Sequence, residues 1–293
     1  MRFLPTALLM AAITTGVAAA KPSSGCGKTP TLAGNANTTR TITSNGKART
    51  FYVQTPADYD NTRPHRLIFT LHALGGTARQ VVAGTGGYYP FYGLPPLVDA
   101  DANANDTTGA IFVAPDGQNN GWANAGGEDV TFIRAAMAAV EADLCVDQAL
   151  RFSTGFSYGG AMSYALACAL GTELRAVAVL SGNPAISGCA GGEAPVAYLG
   201  QHGVADGVLP VAGGREMRDR FARNNGCAAA AQVGEPRAGS GEAHVRTEMA
   251  GCRDGFPVVW VAFDGGHTPT PLEGGAATSF TPAETWAFFS RFT

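Results

Sequence analysis

Ser157 sits in the run Gly155-Phe156-Ser157-Tyr158-Gly159. A serine hydroxyl is a weak nucleophile and attacks only when a base takes its proton. Exposing it takes a sharp strand-to-helix turn, and small residues two before and two after the serine relieve the crowding. Gly155 and Gly159 occupy those positions. A bare G-x-S-x-G arises by chance in many chains, so its setting gives it weight. Leu150–Thr154 reads as a strand before the turn, and Gly159–Leu170 as a helix after it.

Five histidines could serve as the base. His65 lies before a strand in charged sequence, His72 ends a strand beside glycines and reads as structural, and His244 opens an alternating strand. His202 follows a strand but precedes the best acid candidate. His267, in Asp264-Gly265-Gly266-His267, follows the apolar run Val258–Phe263 and completes the chain order serine, acid, histidine. The acid would hold the imidazole tautomer and stabilise its cation. Asp206 fits, just past the strand ending near Leu199. Asp264 is the rival, but three residues from His267 it cannot arrive from a separate strand.

Acyl transfer needs donors for an oxyanion. The backbone N–H of Tyr158 is one, and Leu74 in His72-Ala73-Leu74-Gly75-Gly76 is expected to supply the other. Two aromatic loops, Tyr88-Tyr89-Pro90-Phe91-Tyr92 and Asn119-Asn120-Gly121-Trp122, lie near strand ends. They either wall a flat acyl group or pack into the body of the protein. The expectation is that Trp122 and at least one of Tyr88, Tyr89 and Tyr92 reach the acyl side of Ser157.

These residues need a frame. Strand-like runs at 49–55, 66–71, 110–114, 150–154, 176–180, 196–199, 244–248 and 258–263 alternate with helical ones at about 128–144, 159–170, 214–224 and 282–292. Such alternation implies an α/β fold, a mainly parallel sheet covered by helices on both faces. Ligands then gather at the carboxyl ends of the strands, where Ser157, Asp206, His267 and the Leu74 loop lie.

With 45% hydrophobic and 15% charged residues in 293, the chain can bury a large core. The formal charge of −3 becomes one unit more negative if Arg2 is removed. No basic tract suits nucleic acid. Arg2, the apolar run Phe3–Val17 and Ala18-Ala19-Ala20 read as an export signal cut near Ala20. That run is too short and too interrupted for a membrane span, which needs ~20 apolar residues. Residues 1–20 are thus expected to be a signal peptide, and 21–293 a single catalytic domain of an extracellular protein. Asn37 and Asn105 stand in glycosylation sequons.

Six cysteines in an exported chain suggest three disulfides. Their spacing does not suit a metal, and no metal or cofactor is expected. Cys168 is 11 residues beyond Ser157, about 16 Å down the helix at ~1.5 Å per residue. Cys145 ends the preceding helix, at the same far end of the sheet. The expected pairs are Cys145–Cys168, Cys227–Cys252 around a polar excursion, and by remainder Cys26–Cys189.

The runs Ala114–Gln118, Asn120–Asn124, Gly155–Gly160, Gln201–Gly203 with Asp206, Asn225–Cys227 and Gly265–His267 resemble fungal feruloyl esterases of carbohydrate esterase family one. The resemblance spans Cys26 to Phe292. Ala73 departs from it, standing where many α/β-hydrolases have glycine. The resemblance implies an α/β-hydrolase fold and the triad Ser157, Asp206 and His267. It also implies a substrate, hydroxycinnamate esters of plant cell-wall polysaccharide or small esters of the same acids. Acetylxylan esterases and polyhydroxybutyrate depolymerases share the broader group, so an esterase for those substrates stays open, as does a catalytically silent carbohydrate-binding member.

Overall fold

Nine strands carry the architecture: β1 (Thr39–Ser44), β2 (Lys47–Gln54), β3 (His65–Leu71), β4 (Ala110–Pro115), β5 (Val146–Phe156), β6 (Ala176–Leu180), β7 (Ala197–Gly203), β8 (Val245–Glu248) and β9 (Val258–Phe263). The structure is a computed structural model and describes residues 20–34, 38–105, 109–229 and 233–293. Among them the strands form one sheet in the order β1-β2-β4-β3-β5-β6-β7-β9-β8. The six from β4 to β9 pair in parallel. Antiparallel pairs close both edges.

Residues of β3, β4, β6, β7 and β9 are buried throughout. Strands covered on both faces read as unbroken apolar runs, which is how they appear in the sequence. Side chains alternate between faces. Leu67, Phe69 and Leu71 enter one core, whereas Ile68 enters the other. Helices α1 (Ala78–Ala83), α2 (Pro95–Asn105) and α7 (Thr281–Phe289) bury Val81, Val98 and Phe288 in the second core. Helices α3 (Glu128–Asp143), α4 (Tyr158–Ala169) and α6 (Val211–Asn224) bury Phe132, Met162 and Phe221 in the first. The short α5 (Pro184–Ser187) packs on α4.

Two boundaries differ from the sequence reading in ways that matter. β7 runs on to Gly203, so His202 lies inside a strand and Asp206 stands three residues past its end. β1 was not anticipated; it pairs with β2 around Asn45-Gly46, whose φ values of 50° and 73° suit the turn of a tight hairpin.

The disulfides are Cys26–Cys145, Cys168–Cys189 and Cys227–Cys252. Only the last matches expectation, and the pairs Cys145–Cys168 and Cys26–Cys189 are corrected. The N-terminal segment lies along the start of β5: Ser23 N–H donates to Val146 O at 2.8 Å, and Gln148 N–H to Lys21 O at 2.8 Å. That contact brings Cys26 to Cys145. The chain after α5 descends beside α4, where Gly192 N–H donates to Cys168 O at 3.0 Å, so Cys189 arrives at Cys168 instead. Asn37 and most of the proposed signal segment lie outside the described residues, as does Thr107 of the Asn105 sequon.

Candidate active site

The strand-to-helix turn forms as the spacing requires. Ser157 has φ 57° and ψ −116°, a strained conformation held between β5 and α4. A Cβ on Gly155 would fall 2.5 Å from the Gly159 carbonyl carbon, and one on Gly159 only 2.1 Å from Leu71 O. Glycine at both positions lets the turn close. Ser157 N–H donates to Leu180 O at 2.9 Å, pinning the turn to β6.

The ends of three strands deliver one hydrogen-bonded chain. Ser157 Oγ lies 2.8 Å from His267 Nε2, and His267 Nδ1 lies 2.7 Å from Asp206 Oδ2. Asp206 is buried, and its Oδ1 accepts from Val208 N–H at 2.9 Å and Leu209 N–H at 2.8 Å. These amides stabilise the carboxylate and fix its rotamer. The Phe156 ring lies 4.5 Å from the imidazole, centroid to centroid, and covers it. Asp264, the rival acid, is elsewhere. Its carboxylate accepts from Gly239 and Gly241 N–H at 2.7 Å each, which holds its pKa below the usual carboxylate value.

His202 was set aside in the sequence, yet it borders the acid. Its Nε2 donates to Leu209 O at 2.8 Å and lies 3.4 Å from Asp206 Oδ2. Burial pushes its pKa down, so at neutral pH it braces the 206–209 loop without neutralising the carboxylate. The signal for it was present: a histidine between Gln201 and Gly203 at a strand end.

Leu74 and Tyr158 are brought together over Gly121, where a Cβ would meet Leu74 Cδ1 at 3.4 Å and the Tyr158 ring at 2.8 Å. Tyr158 opens α4, so its N–H has no acceptor within the helix. In residues 73–76, Ala73 N–H donates to Tyr88 Oη at 2.8 Å, Gly75 N–H to Asn120 O at 2.8 Å, and Gly76 N–H to Ala73 O at 3.0 Å. That leaves Leu74 N–H as the amide of this run without a protein acceptor among the described residues.

The aromatic loops take the second of their two roles. Trp122 is fully buried; its Nε1 donates to His72 O at 2.8 Å and its ring packs on His72. A side chain with no accessible surface cannot wall a substrate, so this expectation is corrected. Tyr92 is buried, with Oη donating to Leu71 O at 2.6 Å and accepting from Phe156 N–H at 3.0 Å. Tyr88 Oη serves the Ala73 amide, and Tyr89 Oη accepts from Ser279 N–H at 3.2 Å beside α7. All three hydroxyls hold backbone.

No protein-family model matches the chain. It is 49% identical over 289 residues to feruloyl esterase D of Neurospora crassa, covering 97% of this chain and 96% of that one. It is 50% identical over 286 residues to feruloyl esterase C of Emericella nidulans, covering 98% and 97%. Among solved structures, an acetyl xylan esterase from Aspergillus awamori superposes with a TM-score of 0.58 at 16% identity, covering 87% of this chain and 99% of that one. That likeness supports the fold alone. The sheet and that superposition give the chain the α/β-hydrolase fold, and on near full-length identity to curated relatives it belongs to the feruloyl esterases.

Proposed function

We propose that this chain is a secreted serine esterase that hydrolyses ferulate-type esters of plant cell-wall polysaccharide, or small esters of the same acids. The observation that carries the reading is the hydrogen-bonded chain Ser157–His267–Asp206 at the strained turn. In this reading Ser157 Oγ attacks the ester carbonyl while His267 Nε2 takes its proton. Asp206 stabilises the imidazolium that forms. The amides of Leu74 and Tyr158 receive the oxyanion. His267 then protonates the leaving alcohol, and water returns along the same path to release the acid from an acyl-serine.

An apolar rim supports an aromatic acyl group. Among the described residues the large apolar side chains left exposed are Leu74, Val208 and Leu272, at 70%, 66% and 58%. They sit on the loops that carry the oxyanion amide, Asp206 and His267. Isolated exposed aliphatics are ordinary, but three on the loops that carry the proposed site residues suit the face of an arene. Residues 1–20 are proposed to be removed on export, leaving one catalytic domain.

The test compares methyl ferulate, methyl p-coumarate and 4-nitrophenyl acetate as substrates, with intact-mass detection of the acyl-enzyme. Turnover of methyl ferulate and an adduct lost in Ser157→Ala are expected. Turnover of the acetate with none of methyl ferulate would overturn the substrate assignment.

A further inference from the structure

Between His267 and Glu273 the chain reads Thr268-Pro269-Thr270-Pro271-Leu272. Each proline fixes its own φ and restricts the residue before it. The run is therefore a stiff strut with an imidazole at one end and a carboxylate at the other. Among the described residues the main chain of His267 makes no hydrogen bond, so the ring stands where the two sides of its loop put it. The near side is fixed twice. Ala205 N–H donates to Gly265 O at 3.0 Å, and the Asp264 carboxylate accepts from Gly239 and Gly241 N–H. Along the strut the contacts are long: Thr281 Oγ1 donates to Pro269 O at 3.4 Å and Thr270 Oγ1 to Gly87 O at 3.5 Å.

The far side ends on His244, the residue just before β8. A carboxylate can only accept, so the main-chain N–H and Nδ1–H of His244 both donate to Glu273. The ring nitrogen lies 3.0 and 2.9 Å from its two oxygens. The imidazole is itself held. It stacks on Phe280, with centroids 4.0 Å apart and planes 17° from parallel, and its Nε2 lies 3.4 Å from Glu284 of α7. Phe280 packs edge-on against Phe263, the last residue of β9. Residues 239–244 thus grip the His267 loop on both sides, at Asp264 and at Glu273, and the second grip is braced on the sheet and on α7.

We infer that His244 and Glu273 are positioning residues for the reaction: their hydrogen bonds fix the far end of the strut and so set the His267 imidazole between Ser157 and Asp206. The inference rests on the triad reading above. A partly exposed ion pair adds little to folding, whereas reacting groups misplaced by about 1 Å can lose ~100-fold in rate. The clasp therefore acts on the placement of the imidazole more than on stability.

The rate at which diisopropyl fluorophosphate inactivates the protein tests this without a choice of ester. Ser157 Oγ bonds to phosphorus, fluoride leaves and His267 takes the hydroxyl proton, so the rate reads the serine–imidazole pair itself. Glu273→Ala should slow inactivation roughly tenfold with Tm little changed. His244→Ala keeps the main-chain donor and should slow it about threefold; the double variant should be no slower than Glu273→Ala, because both residues act through one contact. Glu273→Gln keeps an acceptor oxygen for both donors and should stay within about twofold of the unaltered protein. His244→Ala carries the test if Glu273→Ala fails to fold. An unchanged rate in the folded variant, a double variant slowed by the product of the single losses, or a Glu273→Gln rate as low as that of Glu273→Ala overturns the clasp and leaves the triad standing. If the unaltered protein does not react with the fluorophosphate, the triad reading fails and the clasp with it.

Discussion

The Tyr92 hydroxyl stands between the carbonyl of Leu71 and the amide of Phe156, donating to the first at 2.6 Å and accepting from the second at 3.0 Å. β3 and β5 pair in register up to Leu71 and Gly155, so the hydroxyl bridges the two strands just beyond their last pair. One strand leads into the Leu74 loop and the other into Ser157. Tyr92→Phe leaves two buried backbone groups unpaired, at a cost of about 1–3 kcal/mol. If the spacing of the oxyanion amides depends on this bridge, kcat should fall roughly 10- to 100-fold with little change in KM. Chemical denaturation and initial rates on methyl ferulate check both; unaltered kcat in a destabilised variant would limit Tyr92 to stability.

The two candidate acids separate by mutation. Asp206→Asn should lower kcat by about 10⁴-fold, because the imidazole loses its orienting acceptor. Asp264→Asn should leave turnover within about twofold and cost at most ~1 kcal/mol, since it only weakens two exposed amide contacts. Rates paired with circular dichroism distinguish catalytic loss from unfolding.

Trp122→Ala removes a fully buried indole, and loss of such a side chain costs about 3–5 kcal/mol. Because the ring packs on His72, activity should fall by a similar factor on ferulate and acetate esters, together with a lower Tm. Selective loss on ferulate esters, with Tm preserved, would restore Trp122 as a substrate wall.

Burial lowers the pKa values of His65, His72 and His202. The unfolded chain takes up protons on these rings near pH ~6.5, whereas the folded chain resists. The unfolded state therefore binds more protons below that pH, and the folding stability held above it is lost as pH falls. Calorimetric Tm should decline from pH 7 towards pH 5; a flat or rising Tm there would contradict it.

Much of this site was legible because it depends on backbone. Gly155 and Gly159 announce the turn, and β6 and β9 run where unbroken apolar segments stand. His267 was recognisable as the histidine after the last parallel strand. What escaped depends on where loops go once they leave a strand. Nothing local says that Cys189 doubles back along α4, or that residues 21–26 lie against β5. Aromatic residues beside strand ends read alike whether they face a substrate or a neighbouring loop. Only three-dimensional packing shows that Tyr88 and Tyr92 turn their hydroxyls onto main chain and that Trp122 is sealed beneath His72.

The three side chains of the hydrogen-bonded chain are reached in the order 157, 206, 267, and the last follows β9, which sits between β7 and β8. A chain that ends at Phe263 contains Ser157 and Asp206 but not the imidazole that joins them. On the proposed mechanism such a chain has no base for its serine, so the final tenth of the polypeptide is what would turn a folded sheet into an esterase.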